Sequence, residues 1–382
     1  MQPVKIVVAC DSFKGCMSSK EVNAAVALGL RAALPHATVR CLAVGDGGEG
    51  TAAAVAESAG MDSYPVPVTL PHGMPAKAFY YRNNDLAWLD AASAIGLASV
   101  PAAMRDPEAL ASAGLGQLIA GALDAGVRRF RIGLGGSATC DGGMGAMHAL
   151  GFRFLDSSGR ELAPCGASLG RVASVDRSSA HPLLHMAAFE IACDVRSPLC
   201  GPTGAARMFA PQKGASPLAV ERLDKGLLGF GNMLDRIAGR DIASMEGGGA
   251  AGGIAAAMAA LLGAGLHSGI DMVMAEIGLR EALCDADMVI TGEGRIDAQT
   301  AMGKTACGIA NAAAAAAGVR AIAVCGSMAH DVDLSTLPFA AAIAATPADC
   351  PLREAMKPAI AAGYIAKAAQ TIALRQVVGA AV

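Results

Sequence analysis

Short apolar runs alternate with helix-patterned segments at both ends of the chain. Lys5–Cys10 (KIVVAC) is apolar over strand length, the pattern of a strand buried on both faces. It runs into the polar turn Asp11-Ser12-Phe13-Lys14-Gly15. Ser18 or Ser19 then caps a helix reaching about Leu34, with Glu21 in its first turn. Val39–Val44 reads as the next strand, Gly45–Thr51 as a second polar turn, and an Ala-rich helix follows to about Ala59. Two strand–loop–helix units in a row predict a parallel sheet, with ligands at the C-terminal ends of its strands. The rhythm returns late in the chain. Asp287–Ile290 is a strand, Thr291–Asp297 (TGEGRID) a turn, Met302–Gly318 a helix, and Ala321–Val324 a strand ending at Cys325-Gly326-Ser327.

Between these ends the pattern changes. From Tyr64 the chain carries four prolines in PVPVTLPHGMP, which favours edge structure or a linker. Phe79–Tyr81 and Ala87–Leu89 look like strands of a partly antiparallel sheet. Ala111–Ala125 is helical, Arg128–Ile132, Phe152–Leu155 and Met186–Ala192 are strands, and Pro217–Ile237 is a long amphipathic helix. The uncharged Gly247–Ile270 stretch, broken by His267, reads as a buried, tightly packed helix rather than a membrane span. The expected fold class is α/β with two domains. Residues 1–65 and 285–382 form a discontinuous Rossmann- or flavodoxin-like parallel-sheet domain. Residues 66–284 form an inserted mixed α/β domain, with the active site expected in the cleft between the two.

Composition narrows the function. The 382 residues are 53% hydrophobic and 16% charged, enough for large cores and far from a disordered chain. A net charge of −3 without a basic block removes the footprint of a nucleic-acid binder. The N-terminal apolar run is broken at once by Asp11 and Lys14, so no signal peptide is expected and the protein reads as cytoplasmic. Eleven cysteines without a CxxC pair suggest reduced, mostly buried thiols.

The densest chemical signal is Gly133–Gly151 (GLGGSATCDGGMGAMHALG). Six glycines fall within Gly133–Gly145, between a strand and a helix-patterned segment. Backbone amides in such a loop can cradle a phosphate. Within it, Gly133-x-Gly135-x-x-Ala138 matches the dinucleotide fingerprint, with Asp156 at the spacing of the ribose-binding acid. That match supports a rival reading, a nicotinamide-dependent oxidoreductase. Lys304-Thr305 imitates the end of a P-loop, but Ala298 stands where its first glycine belongs. Five acids, Asp46, Glu49, Asp194, Glu293 and Asp297, sit in loops at or after strand ends, a distribution suited to Mg²⁺ with phosphates or to a base for a hydroxyl. Lys14, Arg207, Lys213 and Arg295 are cations in or near the same loops.

Seven blocks in order carry a family resemblance. They are DSFKG (Asp11–Gly15), VGDGGEGT (Val44–Thr51), GLGGSAT-x-DGG (Gly133–Gly143), CDV-x-x-PLCGP-x-GA (Cys193–Ala205), PQKGA (Pro211–Ala215), GGGAAGG (Gly247–Gly253) and TGEGR-x-D-x-QT-x-x-GK (Thr291–Lys304). Together they resemble the bacterial type 1 glycerate kinases. Cys16, Cys140 and Ser197 depart from the family pattern. The resemblance implies phosphorylation of D-glycerate by ATP with Mg²⁺, to 2-phosphoglycerate, with 3-phosphoglycerate as the alternative product. It implies no nucleic-acid or membrane partner and leaves open monomer or homodimer.

Chemistry on the matching positions assigns expected roles. Asp11, Ser12, Lys14, Arg295 and Asp297 bind the acid, with Lys14 on its carboxylate. Asp194 takes the hydroxyl proton, with Asp46 as second choice. Glu49, Asp46 and Glu293 hold the metal. Gly135, Gly136, Ser137, Thr139, Gly142 and Gly143 carry the ATP phosphates, with Lys213 as counter-charge.

Overall fold

The computed structural model describes residues 3–297, 300, 305–316 and 318–376. Lys304 and the start of the helix predicted from Met302 lie outside them. The chain divides into two units, Met1–Asp46 with Ala53–Gly60 and Ile270–Val382, and Gly47–Ala52 with Met61–Gly269. Among the described residues no helix is long and apolar enough to cross a membrane.

Unit 1 is built on a five-stranded sheet in which every pairing is parallel. Its order is Thr38–Cys41, Lys5–Cys10, Met288–Gly292, Arg320–Cys325, Ala341–Ala344. In order of appearance along the chain this is 2-1-3-4-5, the flavodoxin-like arrangement. The helix Ser19–Ala33 begins on a reciprocal cap. The Glu21 amide donates to Ser18 Oγ, and the Ser18 amide donates to the Glu21 carboxylate. Its Val22, Val26 and Leu30 face the buried strands and the helix Pro358–Gln376. Gly29 lets the two helices close: a Cβ there would stand 1.9 Å from the Ala366 carbonyl oxygen.

Unit 2 holds a six-stranded mixed sheet. Gly265–His267, Ala188–Ala192, Arg129–Gly133 and Leu86–Asp90 run parallel, followed by the antiparallel Pro75–Asn83 and Asp62–Thr69. Pro65 and Pro67 fall on that last, edge strand, where a missing N–H leaves no ladder bond unmade.

Two expectations change. Gly247–Ile270 is not one helix. Helical turns cover Ala250–Leu261, but Ala251 (φ 54°), Gly252 (φ 69°) and Gly253 (φ 96°) are left-handed, and Gly265–His267 is a strand. The cause is tertiary: the Gly252 carbonyl accepts the Gly142 amide at 3.0 Å, and a Cβ on Gly252 would stand 2.3 Å from the Thr139 carbonyl oxygen. Ala251 holds a backbone region that costs a side-chain-bearing residue about 1 kcal/mol or more. The cysteines also differ. All eleven are free, but only Cys10, Cys140, Cys307 and Cys325 are buried, since several of the others lie on loops rather than in strands or helix faces.

Candidate active site

The carboxyl ends of four parallel strands of unit 1 open into one cavity of about 670 Å³. Asp11, Ser12 and Lys14 come from the loop after Lys5–Cys10. Glu293, Arg295 and Asp297 come from the loop after Met288–Gly292. Asp46 joins them. These two strands are the central neighbours where the winding direction reverses, the place where open α/β sheets bind ligands. All seven residues were singled out from the sequence.

The charges are arranged in contact. Lys14 Nζ donates to Asp46 Oδ2 at 2.8 Å. Burial works to lower the Lys14 pKa, but the carboxylates of Asp46, Asp11 and Glu293 outweigh it and hold the ammonium above its ordinary value. Asp11 is buried, and its Oδ2 accepts the Thr305 hydroxyl at 3.0 Å. Burial, and then the Asp46 charge, push its carboxyl up to about 6. Lys14 and Arg295 are exposed and reach toward solvent, as cations that meet a small anion would. Thr305 was not recognised as a partner of Asp11, because it lies 294 residues away in sequence.

In unit 2 the glycine stretch has two parts of different character. Gly135 is half-buried and Gly136 exposed, and neither amide has an acceptor among the described residues. From Ser137 to Gly143 the chain is buried. The Gly142 amide is taken by Gly252 and the Gly143 amide by Asp141 Oδ1, both at 3.0 Å. A Cβ on Gly142 would stand 2.8 Å from the Leu169 side chain and 3.0 Å from the Phe230 ring. The expected phosphate contacts at Thr139, Gly142 and Gly143 are therefore corrected: those residues face the core, with their donors spent or enclosed. Asp141 organises them. It accepts the Ser112 amide and hydroxyl, the Gly143 amide and the Gly145 amide at 2.7–3.0 Å. Burial pushes its carboxyl pKa up, against those four hydrogen bonds.

Lys213 is 3% exposed and donates to Ser137 Oγ (3.0 Å) and the Thr139 carbonyl (2.7 Å). Burial lowers its pKa. Its ammonium props the loop from behind. The dinucleotide fingerprint does not survive either. Ala138 pairs across to Ile95, the next helix begins only at Met144, and Asp156 follows a strand that belongs to a separate two-stranded sheet.

Asp194 follows the strand Ala188–Ala192, where its Oδ1 accepts the Gly269 amide at 2.8 Å. It is not among the residues lining the unit 1 cavity, and neither is Glu49, which belongs to unit 2. Asp46 and Glu293 line it without Glu49, and among the described residues no group of three metal-ligating side chains is assembled. The sequence reading passed over Asp90. This buried carboxylate accepts the Gly50 and Ala52 amides at 2.9 and 3.1 Å, pinning the Gly47–Ala52 turn. It ends a strand (LAWLD) as the other acids do, and that was the available signal.

Comparison with known proteins follows the same line. The model of the glycerate kinase family matches residues 6–376. Glycerate kinase of Bacillus subtilis (strain 168) is 42% identical over 330 residues, covering 86% of this chain and 86% of that protein. Glycerate 2-kinase of Escherichia coli (strain K12) is 42% identical over 313 residues, covering 81% of this chain and 82% of that protein. A crystal structure of a Salmonella typhimurium LT2 protein, assigned as glycerate kinase 2, superposes with a TM-score of 0.87 at 40% identity and covers 99% of each chain.

Proposed function

Because the chain belongs to the glycerate kinase family, we propose that it transfers the γ-phosphoryl group of ATP to the 2-hydroxyl of D-glycerate, with Mg²⁺, in the cytoplasm where ATP is supplied. The observation that carries the site assignment is the gathering of Asp11, Ser12, Lys14, Asp46, Glu293, Arg295 and Asp297 at the reversal point of the unit 1 sheet.

Lys14 and Arg295 bind the glycerate carboxylate, and Ser12 and Asp297 orient its hydroxyls. Asp46 takes the proton of the attacking hydroxyl. It has a better claim than Asp194, which already caps the helix Gly269–Glu276. Glu293 would hold Mg²⁺ through the hard carboxylate oxygen that this ion prefers. When bound, the ion would supply neutralisation of the charge on the transferring phosphoryl group. In unit 2, Gly135, Gly136 and Ser137 offer the phosphate-facing edge of the glycine loop, and Lys213 fixes Ser137.

Incubating the protein with ATP, Mg²⁺ and D-glycerate and reading the product by phosphorus NMR tests the reaction and its position together. 2-Phosphoglycerate is expected; 3-phosphoglycerate would overturn the position, and the absence of both would overturn the activity.

Two further outcomes follow from the charges. Lys14→Ala raises the KM for glycerate about 10- to 100-fold, the worth of one hydrogen bond to a charged group, with little change in the KM for ATP. An effect confined to ATP would move Lys14 to the nucleotide. Glycerate binding, measured by calorimetry in EDTA, tightens as pH falls through about 6, because Asp11 then takes up a proton and stops repelling the anion. The sign for stability agrees: a carboxyl raised in the fold contributes most below its unfolded value of 3.8 and loses that contribution as pH rises toward 6. In Asp11→Asn the pH effect on binding disappears.

A further inference from the structure

We infer that the unit 1 cavity has a second, aliphatic compartment that accepts a hydrocarbon tail, so that the enzyme phosphorylates longer-chain 2,3-dihydroxy acids as well as glycerate. This rests on the reading that the Lys14 and Arg295 end of the cavity holds the acid head.

The first ground is size. At about 670 Å³ the cavity is in the range that holds drug-sized ligands, roughly 300–1,000 Å³, and a three-carbon acid fills a small part of it. The second is the division of its wall. The charged residues all come from the strand-end loops and Asp46. Away from them the wall is mainly apolar, with Ala344, Pro347, Leu352, Met356 and Ile365 beside Thr346 and Cys350, from the last strand of the sheet and the segments after it. Met356 joins the two halves: its Cε lies 3.4 Å from where a Cβ on Gly15 would stand, beside the Asp11–Gly15 loop. Leu352 is 76% exposed and Met356 38%, so this wall has apolar surface left uncovered.

The third ground selects the occupant. A purine would need donors and acceptors here. Five of the wall's amides are already spent: Ala345 donates to Cys325, Thr346 to Gly326, Cys350 to Pro347, Ala355 to Pro351 and Met356 to Leu352. Pro347 has no amide to give. Phe13, the one phenyl ring among the described lining residues, is packed into the core, and the other aromatic ring is the His330 imidazole. A base buried here would have to find partners among a few groups such as Thr346 and the Ala348 amide, whereas an alkyl chain asks for nothing.

The chemistry is unchanged by the tail. The bond between the γ-phosphorus and its bridging oxygen breaks, and the electron pair stays on ADP. The acid's hydroxyl oxygen forms the new bond to phosphorus, and its proton passes to Asp46.

The test is a series of substrates: glycerate, then 2,3-dihydroxybutanoate, 2,3-dihydroxyhexanoate and 2,3-dihydroxyoctanoate, each with the configuration of D-glycerate at C2, with ATP and Mg²⁺. For the wild-type protein kcat/KM rises roughly fourfold per methylene buried, until the compartment is full. Met356→Glu flattens the series and leaves kcat/KM for glycerate within about twofold. Leu352→Glu, at an exposed position that tolerates charge, does the same should Met356→Glu fail to fold. The inference is overturned if longer acids are turned over no better than glycerate. It is also overturned if the two variants raise the KM for ATP instead, which would assign the compartment to the nucleoside. A protein that phosphorylates glycerate but gains nothing from a tail defeats this inference alone; one that phosphorylates none of the acids defeats the kinase reading with it.

Discussion

Asp46→Asn lowers kcat for glycerate phosphorylation by about 10²- to 10⁴-fold, the range that one positioned general base contributes. The carboxylate sits in the cavity, 2.8 Å from the Lys14 ammonium. An amide of the same shape accepts hydrogen bonds but takes no proton, so binding suffers less than turnover. The control is Lys14→Ala, which removes the same ion pair from the other side. If the pair matters only for shape, the two variants behave alike. If Asp46 is the base, Asp46→Asn falls in kcat while Lys14→Ala falls in KM for glycerate. Steady-state kinetics on both variants decides, and a near-normal kcat in Asp46→Asn would return the base role to Asp194. If Asp46 is the base, Asp194→Asn acts through stability instead, because its Oδ1 holds the amide at the start of Gly269–Glu276.

Asp141→Ala destabilises unit 2 by about 3–5 kcal/mol, the cost of stranding several buried donors at once. Its two oxygens are shared among the Ser112 amide and hydroxyl and the Gly143 and Gly145 amides, none of which has water to turn to. Ser112 precedes the helix Ala113–Asp124, and Gly143 and Gly145 lie at the start of Met144–Ala149. One carboxylate therefore secures the beginnings of two helices. Urea unfolding followed by circular dichroism, with unit 2 fluorescence from the single tryptophan Trp88, reads the loss. Asp141→Asn is the informative second variant: it keeps one acceptor and is expected to recover part of the stability. A loss below about 1 kcal/mol in Asp141→Ala would mean that the loop repacks around the gap. In that case the glycine stretch is not rigidly organised by this residue.

The repeating parts of the fold were legible because their causes are local. KIVVAC is a central strand on its apolar run alone, and Ser18 with Glu21 marks the helix start that both side chains then cap. The seven cavity residues could be found for a related reason. In a parallel sheet, strand order along the chain already says which loops lie at the carboxyl edge. Polar residues in those loops are candidates before any distance is known.

The glycine stretch shows where local reasoning stops. Gly135 and Gly142 are the same residue in the same motif, with equal apparent fitness for a phosphate. One is half-exposed and the other is sealed beneath Leu169 and Phe230, whose approach comes from segments far along the chain. Lys213 looked like a cation for an anion, yet burial and its bonds to Ser137 and Thr139 make it a strut.

By itself, the sequence determined the alternation of elements, the class of sheet and the set of strand-end residues from which the site is drawn, since periodicity and chain order suffice for these. Only the tertiary structure decided which of those groups share a cavity, which backbone amides are already spent, and what lies beyond the charged end. Hydrogen-bond partners and burial are set by neighbours hundreds of residues away, as Thr305 is for Asp11, and no window of sequence contains both.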